Sequence, residues 1–317
     1  MTDTQNEVFK TPVNKIRLFE HGAPGSQNLK LTRKYYTEDM PDGRVKHIVQ
    51  NITDPDIVPY IPDGIGNSTD RQRIPAVLII PGGAFRRLVY NFEGEDVAKW
   101  LNSMGIAAFV LECRLPSDEH DNAEDVPLID AMRAMRVIRG RAQEFGIDEA
   151  KIGVMGFSAG GFMAALLSTA YESDVYADYK YKDEYDKLSA RPDFAVCSYP
   201  VISIDDCIEA GKRYMSEEQV LERISDSKAK ILHKYNPDKL VRPDMPPVFI
   251  CETDDDRTTL SENSIGFYMA ARKAGVSAEL HIFRTGGHGY GCGDDSAQTG
   301  EWKVLFAKWI KSIGIIS

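Results

Sequence analysis

The sequence predicts an α/β fold with a mostly parallel central sheet and helices on both faces. Three observations carry this. Short apolar runs recur from residue 76 onward, each closed by Gly, Pro or polar residues. Segments with helical spacing separate them, and strands alternating with helices of that length assemble as parallel sheets. The chain has 317 residues, 43% of them hydrophobic, which is ample for one large core.

Taken in order, the first 70 or so residues are polar and rich in turn formers. Within them Arg44 to Ile52 alternates apolar with polar, as a half-buried strand does, and Asp63 to Asp70 reads as a loop. Ala76 to Ile80 is a buried strand closed by Pro81-Gly82-Gly83. Glu93 to Met104 has helical spacing, and Ile106 to Leu111 is a second buried strand. Leu128, Met132, Met135 and Ile138 lie on one face of a helix from about Val126 to Phe145; methionines at that spacing read as core. Ile152 to Gly156 is a strand and Ser158 to Tyr171 a helix. Strands follow at Phe194 to Tyr199, Val248 to Glu252 and Ala278 to Phe283. Helices are expected over Ser261 to Ala274 and Glu301 to Ile313. Right-handed crossovers bring the carboxyl ends of such strands to one edge, where ligands bind.

One stretch breaks the alternation. Residues 202–246 are charged, with helical segments around Ser216 to Ile224 and Asp226 to Tyr235. Leaving one strand and returning before the next, the stretch reads either as a cap over the strand ends or as a surface excursion without a role in binding. The expected organisation is a single α/β domain over 1–317 with 202–246 as a cap insertion.

The bulk properties narrow the function. A formal net charge of -10 argues against nucleic acid and against an anionic membrane surface. No apolar run approaches the roughly 20 residues that span a bilayer, and Met1 to Lys10 lacks a signal-peptide pattern. The five cysteines are scattered, with no CxxC pair and no zinc-type spacing with histidine. They fit reduced thiols in a cytoplasm. Cys113, Cys197 and Cys251 sit in apolar runs and read as core.

The chemistry is carried by a few motifs. Gly156-Phe157-Ser158-Ala159-Gly160 fits G-x-S-x-G, between an apolar strand and an apolar helix. The nucleophile of such a turn projects from a bend too tight for side chains on its neighbours, which is why glycine flanks it. At the helix start, free N–H groups point at incoming negative charge. Pro81-Gly82-Gly83-Ala84-Phe85 follows another strand and falls where an oxyanion loop is expected in chain order. The donors would be the N–H groups of Gly83 and Ala84, with Ala159 after the nucleophile. His288 lies among glycines in Gly286-Gly287-His288-Gly289-Tyr290-Gly291, poorly explained as core and suited to reach across a site. His281 lies within a strand and reads as structural; His21, His47, His120 and His233 read as surface residues. The acid of a Ser-His-Asp set should stand between Ser and His, and Asp254, Asp255 and Asp256 all follow a strand end there. Position alone does not separate them. Arg86, Arg87 and Arg114 follow strand ends and read equally as contacts to a polar substrate or as surface salt-bridge residues.

These residues resemble the carbohydrate-esterase-like branch of the α/β-hydrolase superfamily, which includes acetylxylan and feruloyl esterases and acetyl esterase/lipase-type enzymes. The similarity runs from about His21 to the end. It includes His21-Gly22-Ala23-Pro24-Gly25, the Pro81 loop, Glu93-Gly94-Glu95-Asp96, Ile152 through Gly161, Thr253 to Ser264 and Gly286-Gly287-His288-Gly289. The resemblance selects Asp256 as the acid, counted back from Glu262-Asn263-Ser264, with Asp255 as runner-up. The chain departs from the family in Thr258, Thr259, Leu260 and Ser261, where valines and prolines are usual. It also has Ala84 as the third residue of the oxyanion loop, where an alanine still supplies its N–H.

The reading is a serine esterase that needs neither metal nor organic cofactor. Ser158, His288 and Asp256 would act through an acyl-enzyme, and the resemblance implies a short acyl group such as acetyl on a sugar or other small alcohol. The partner expected is thus a small-molecule ester, with no nucleic acid and no membrane; nothing in the sequence fixes an oligomeric state. A serine peptidase of the same superfamily and a non-catalytic binding protein on the same fold are the alternatives.

Overall fold

The computed structural model describes residues 9, 14–65, 73–213, 215–216, 218–219 and 227–317. Its strands are β1 (Ile16–Arg17), β2 (Lys34–Asp39), β3 (Val45–Gln50), β4 (Asp56–Tyr60), β5 (Ile74–Ile80), β6 (Leu88–Val89), β7 (Ala107–Glu112), β8 (Ile147–Phe157), β9 (Ala195–Ser198), β10 (Val248–Thr253) and β11 (Ala278–Phe283). Its helices are α1 (Asp96–Ser103), α2 (Val126–Gly140), α3 (Ala142–Phe145), α4 (Ala159–Ala170), α5 (Ile204–Lys212), α6 (Ser227–Lys234), α7 (Ser261–Lys273) and α8 (Glu301–Ser312). Most of the helix expected over Ser216 to Ile224, the start of the one over Asp226 to Tyr235, most of the Asp63 to Asp70 loop and most of Met1 to Lys10 lie outside the described residues.

An eight-stranded sheet has the order β1-β4-β7-β5-β8-β9-β10-β11. From β7 to β11 neighbours are parallel, while β1 and β4 add antiparallel pairs at one edge. The mostly parallel sheet is as expected. Its central strands are buried on both faces, so they read as continuous apolar runs, as in Ala76–Ile80 and Ala107–Leu111. The edge strands do not have that signature, and β1, β2, β4 and β6 were not read from the sequence. β2, β3 and β6 form a separate antiparallel sheet.

Strand order decides where a site can form. The chain steps from β5 to β7 in one direction, then returns past β5 to β8 and continues the same way. Right-handed crossovers therefore put α1 on one face and α2, α4 and α7 on the other. α8 joins α1, with Trp302 and Phe306 packed on Trp100. The reversal falls between β5 and β8, and a crevice opens beyond the carboxyl ends of these two strands.

Two helices differ from expectation. The one expected over Val126 to Phe145 breaks at Arg141, and a short second turn ends at Gly146, whose φ of 67° stops it. The one expected from Glu93 starts as a π-turn over Asn91–Glu95, closed by a Glu95 N–H to Tyr90 carbonyl bond of 2.8 Å. Asn91 fixes that turn by bonding the His47 N–H and the Val45 carbonyl on β3.

Candidate active site

Ser158 follows β8 directly, with φ 54° and ψ -119°. This is a strained conformation for a residue with a side chain, costing about 1–3 kcal/mol, and it persists because the surroundings over-determine it. The Ser158 N–H bonds the Ser198 carbonyl of β9 at 3.0 Å. A Cβ at Gly156 would collide with the Gly160 carbonyl, and one at Gly160 with the Ile80 carbonyl. Glycine at both ends lets strand, turn and helix touch, so the side chain of Ser158 projects at the switch point.

His288 Nε2 lies 2.9 Å from Ser158 Oγ, and its Nδ1 lies 2.6 Å from Asp256 Oδ2. With the ring proton on Nδ1, His288 donates to Asp256 and accepts from the serine hydroxyl. Asp256 is buried. Its Oδ1 accepts from the N–H groups of Thr258 and Thr259 at 2.7 and 3.0 Å, and the Thr259 hydroxyl donates to Oδ2 at 3.0 Å. The departure from the family after Asp256 thus adds a donor to the acid. Asp255 takes a different part: its carboxylate accepts the Gly287 N–H at 2.8 Å, which holds it below the usual carboxylate range. Asp254 is exposed, its N–H tied to the Phe283 carbonyl. Of the three aspartates, only Asp256 bonds the imidazole.

The Pro81 loop lies beside the serine: a Cβ on Gly82 would fall within 2.9 Å of Ser158 Cβ. The Gly82 N–H is taken by the Glu93 carboxylate at 2.8 Å. The N–H groups of Gly83, Ala84 and Ala159 have no acceptor among the described residues. Gly83 and Ala159 line one small cavity of about 10 Å³, together with Phe85, Leu115, Pro127 and Met163. Ala84 is exposed at the loop tip with φ 57°, outside that lining.

Two residues at the site carried no role in the sequence reading. Glu93 is buried and also accepts from the Tyr199 hydroxyl at 3.0 Å. Burial pushes its carboxyl up, against the opposing charge of His288. Tyr199, with φ 37°, sets its ring edge-on to His288 at 5.1 Å. The motif around Glu93 was a signal that something acts there; nothing in sequence points to Tyr199.

Other expectations need correction. Arg114 is not a surface residue: its side chain is fully buried and pairs with Asp130 at 2.7 Å while bonding Ser26 and the Pro24 carbonyl. Arg87 pairs with Glu38, in line with the salt-bridge reading of that residue. His120 is not at the surface; it is buried against Ser26, and burial together with the Arg114 charge pushes it down to about 4. His281 bonds Glu279 in β11, a structural position as expected. Cys113, Cys197 and Cys251 are buried in the core, as expected. Among the described residues no cluster of three or more His, Cys, Asp or Glu is arranged to hold a metal ion, and no helix is long and apolar enough to cross a membrane.

The family model described as BD-FAE matches residues 65–270, a span that contains Ser158, Asp256 and the Pro81 loop. The chain belongs to the BD-FAE family. Among its relatives, an acetylxylan esterase of Xylanibacter ruminicola is 31% identical over 240 residues, which cover 75% of this chain and 45% of that protein. Endo-1,4-beta-xylanase B of Butyrivibrio fibrisolvens is 31% identical over 232 residues, 73% of this chain and 35% of that protein. This BD-FAE chain therefore spans less than half the length of either. An acetyl ester-xyloside bifunctional hydrolase of Caldicellulosiruptor lactoaceticus has a similar structure, with TM-score 0.68 and 38% identity. The match covers 84% of this chain and 91% of that one. The BD-FAE chain has the α/β-hydrolase fold.

Proposed function

We propose that this protein is a serine carboxylic-ester hydrolase acting on short acyl esters, of the acetyl type, of a carbohydrate or small alcohol. The observation that carries this reading is the hydrogen-bonded line from Ser158 Oγ through His288 to Asp256 at the switch point. His288 Nε2 takes the hydroxyl proton as Ser158 Oγ bonds the ester carbonyl carbon. Asp256 stabilises the imidazolium, and the N–H groups of Gly83, Ala84 and Ala159 receive the oxyanion. The alcohol leaves with the proton from His288. Water then attacks the acyl-enzyme by the same route, and the acid and free Ser158 are released.

A short acyl group is supported by the small, largely apolar cavity beside Gly83 and Ala159. The acetyl ester-xyloside and acetylxylan activities named for two relatives point the same way. The described part of the 202–246 insertion supports a cap: α6 packs on residues 116–118 beyond β7, and Lys234 and Tyr235 bond Asp125. The free thiols of Cys113, Cys197, Cys251 and Cys292 support a reducing compartment such as the cytoplasm.

The test is a series of nitrophenyl esters of rising chain length. Turnover should be fastest for acetyl and fall at least about 10⁴-fold in Ser158→Ala. Full turnover by that variant would sink the mechanism, and cleavage of peptide amides but not esters would assign a peptidase instead.

A further inference from the structure

The oxyanion loop and the histidine loop are about 200 residues apart in sequence, yet both lean on one side chain. Glu93 Oε2 accepts the Gly82 N–H, one residue before Gly83. Glu93 Oε1 accepts the Tyr199 hydroxyl, and that hydroxyl in turn accepts the Gly291 N–H at 2.9 Å. Gly291 packs so closely on the π-turn that a Cβ there would meet the Phe92 carbonyl. Trp302 Nε1 holds the Gly291 carbonyl from the other side at 3.0 Å.

The donors around Glu93 favour its carboxylate, against burial, which favours the neutral acid. Gly82 can only donate. Tyr199 already accepts from Gly291, so its own proton goes to Glu93. If Glu93 were protonated, either its own proton or that of Tyr199 would lack an acceptor in this arrangement, so the pattern suits the carboxylate. His288 exerts the largest charge effect on it, and Lys46 on β3 acts in the same sense.

We infer that Glu93 is a positioning residue for the reaction: its carboxylate ties the oxyanion loop to the histidine loop through Tyr199 and faces His288 with a fixed negative charge. The inference rests on the esterase reading. Catalysis needs the oxyanion donors and the imidazole in register to a fraction of an ångström, and a shared anchor supplies that register. A negative charge facing the ring also favours the imidazolium formed when Ser158 attacks.

The experiment is fluorophosphonate labelling of Ser158 across pH, beside nitrophenyl acetate kinetics, for wild type, Glu93→Gln and Tyr199→Phe. The groups facing His288 are Asp256, Glu93, Tyr199, Thr259 and Ser158, and Glu252 faces Asp256 from β10. Glu93→Gln keeps the shape and one oxygen that can accept the Gly82 N–H, removes the charge and turns the other end into a donor. It should label about tenfold more slowly, lower kcat about tenfold with KM within about twofold, and move the acid limb to lower pH. Tyr199→Phe keeps the charge and breaks the bridge. It should slow labelling about fivefold and leave the acid limb in place. If wild type labels and Glu93→Gln matches it in rate and acid limb, this inference falls alone. If Glu93→Gln does not fold, an unchanged labelling rate in Tyr199→Phe overturns it. If wild type resists the probe, the esterase reading falls and takes this inference with it.

Discussion

Buried carboxyl groups are treated in opposite ways at two places in this molecule. Beside the antiparallel edge, Asp56 and Glu112 meet cations. Arg33 bridges both at 2.6 Å, and Lys15 reaches Glu112 at 2.6 Å. At the crevice, Asp256 and Glu93 are bonded by dipoles instead: the N–H groups of Thr258, Thr259 and Gly82, and the hydroxyls of Thr259 and Tyr199. An ion pair satisfies a carboxylate by cancelling its charge. Dipoles satisfy its lone pairs and leave the charge in place. The first arrangement is a clamp between chain segments. The second leaves a local field, and His288 lies in it.

Substitutions that remove charge at constant shape test this contrast. The largest effect belongs to Asp256→Asn: kcat should fall about 10³–10⁴-fold because the wrong tautomer of the imidazole, with its proton on Nε2, is then stabilised. Melting temperature should move little by comparison, and a variant with wild-type turnover would break the contrast. Arg33→Met should do the reverse. It leaves two buried carboxylates short of a partner and should cost about 3 kcal/mol in chemical denaturation, with kcat at 25 °C unchanged. Loss of kcat in a folded Arg33→Met protein would join the two regions.

His120 sharpens the contrast with the smallest effect. It is buried beside a cation and pushed down to about 4, so the folded state keeps it neutral where an unfolded chain takes up a proton. Its neutral form therefore contributes full stability above the ordinary histidine value of about 6.5, and that contribution fades as pH falls toward 4. In His120→Asn the loss of unfolding free energy between pH 7 and 5 should shrink by about 1 kcal/mol. Equal losses in both proteins would show that unfolding does not charge this ring.

How legible these features were in the sequence follows from what each depends on. Central strands are buried on both faces and appear as apolar runs, so their order along the chain was readable. β4 was not: it is short, carries Pro59 and ends half exposed, so burial leaves no continuous run. Ser158 and His288 stood out because the backbone around each demands glycine. Residues that act through side-chain reach left no such trace. Asp255 and Asp256 are neighbours in the same loop, and what separates them is that one meets the Gly287 N–H and the other the imidazole. Thr258 and Thr259 looked like a weakening of the family pattern, yet both bond the acid. Arg114 and His120 looked exposed because they are polar, and only the fold reveals the Asp130 and Ser26 that accompany them inside.

The π-turn at Asn91–Glu95 makes the site sensitive to chain length, and not only to residue identity. Such a turn holds one residue more than an α-helical turn. Deleting a single residue from it would restore ordinary winding into α1, and each residue of an α-helix turns the chain by about 100°. Glu93 would then swing off the Gly82 N–H although every active-site side chain was still encoded. Homologues that differ here by one insertion or deletion should therefore differ in how the Pro81 loop is anchored, a distinction that comparing the serine, histidine and aspartate alone would miss.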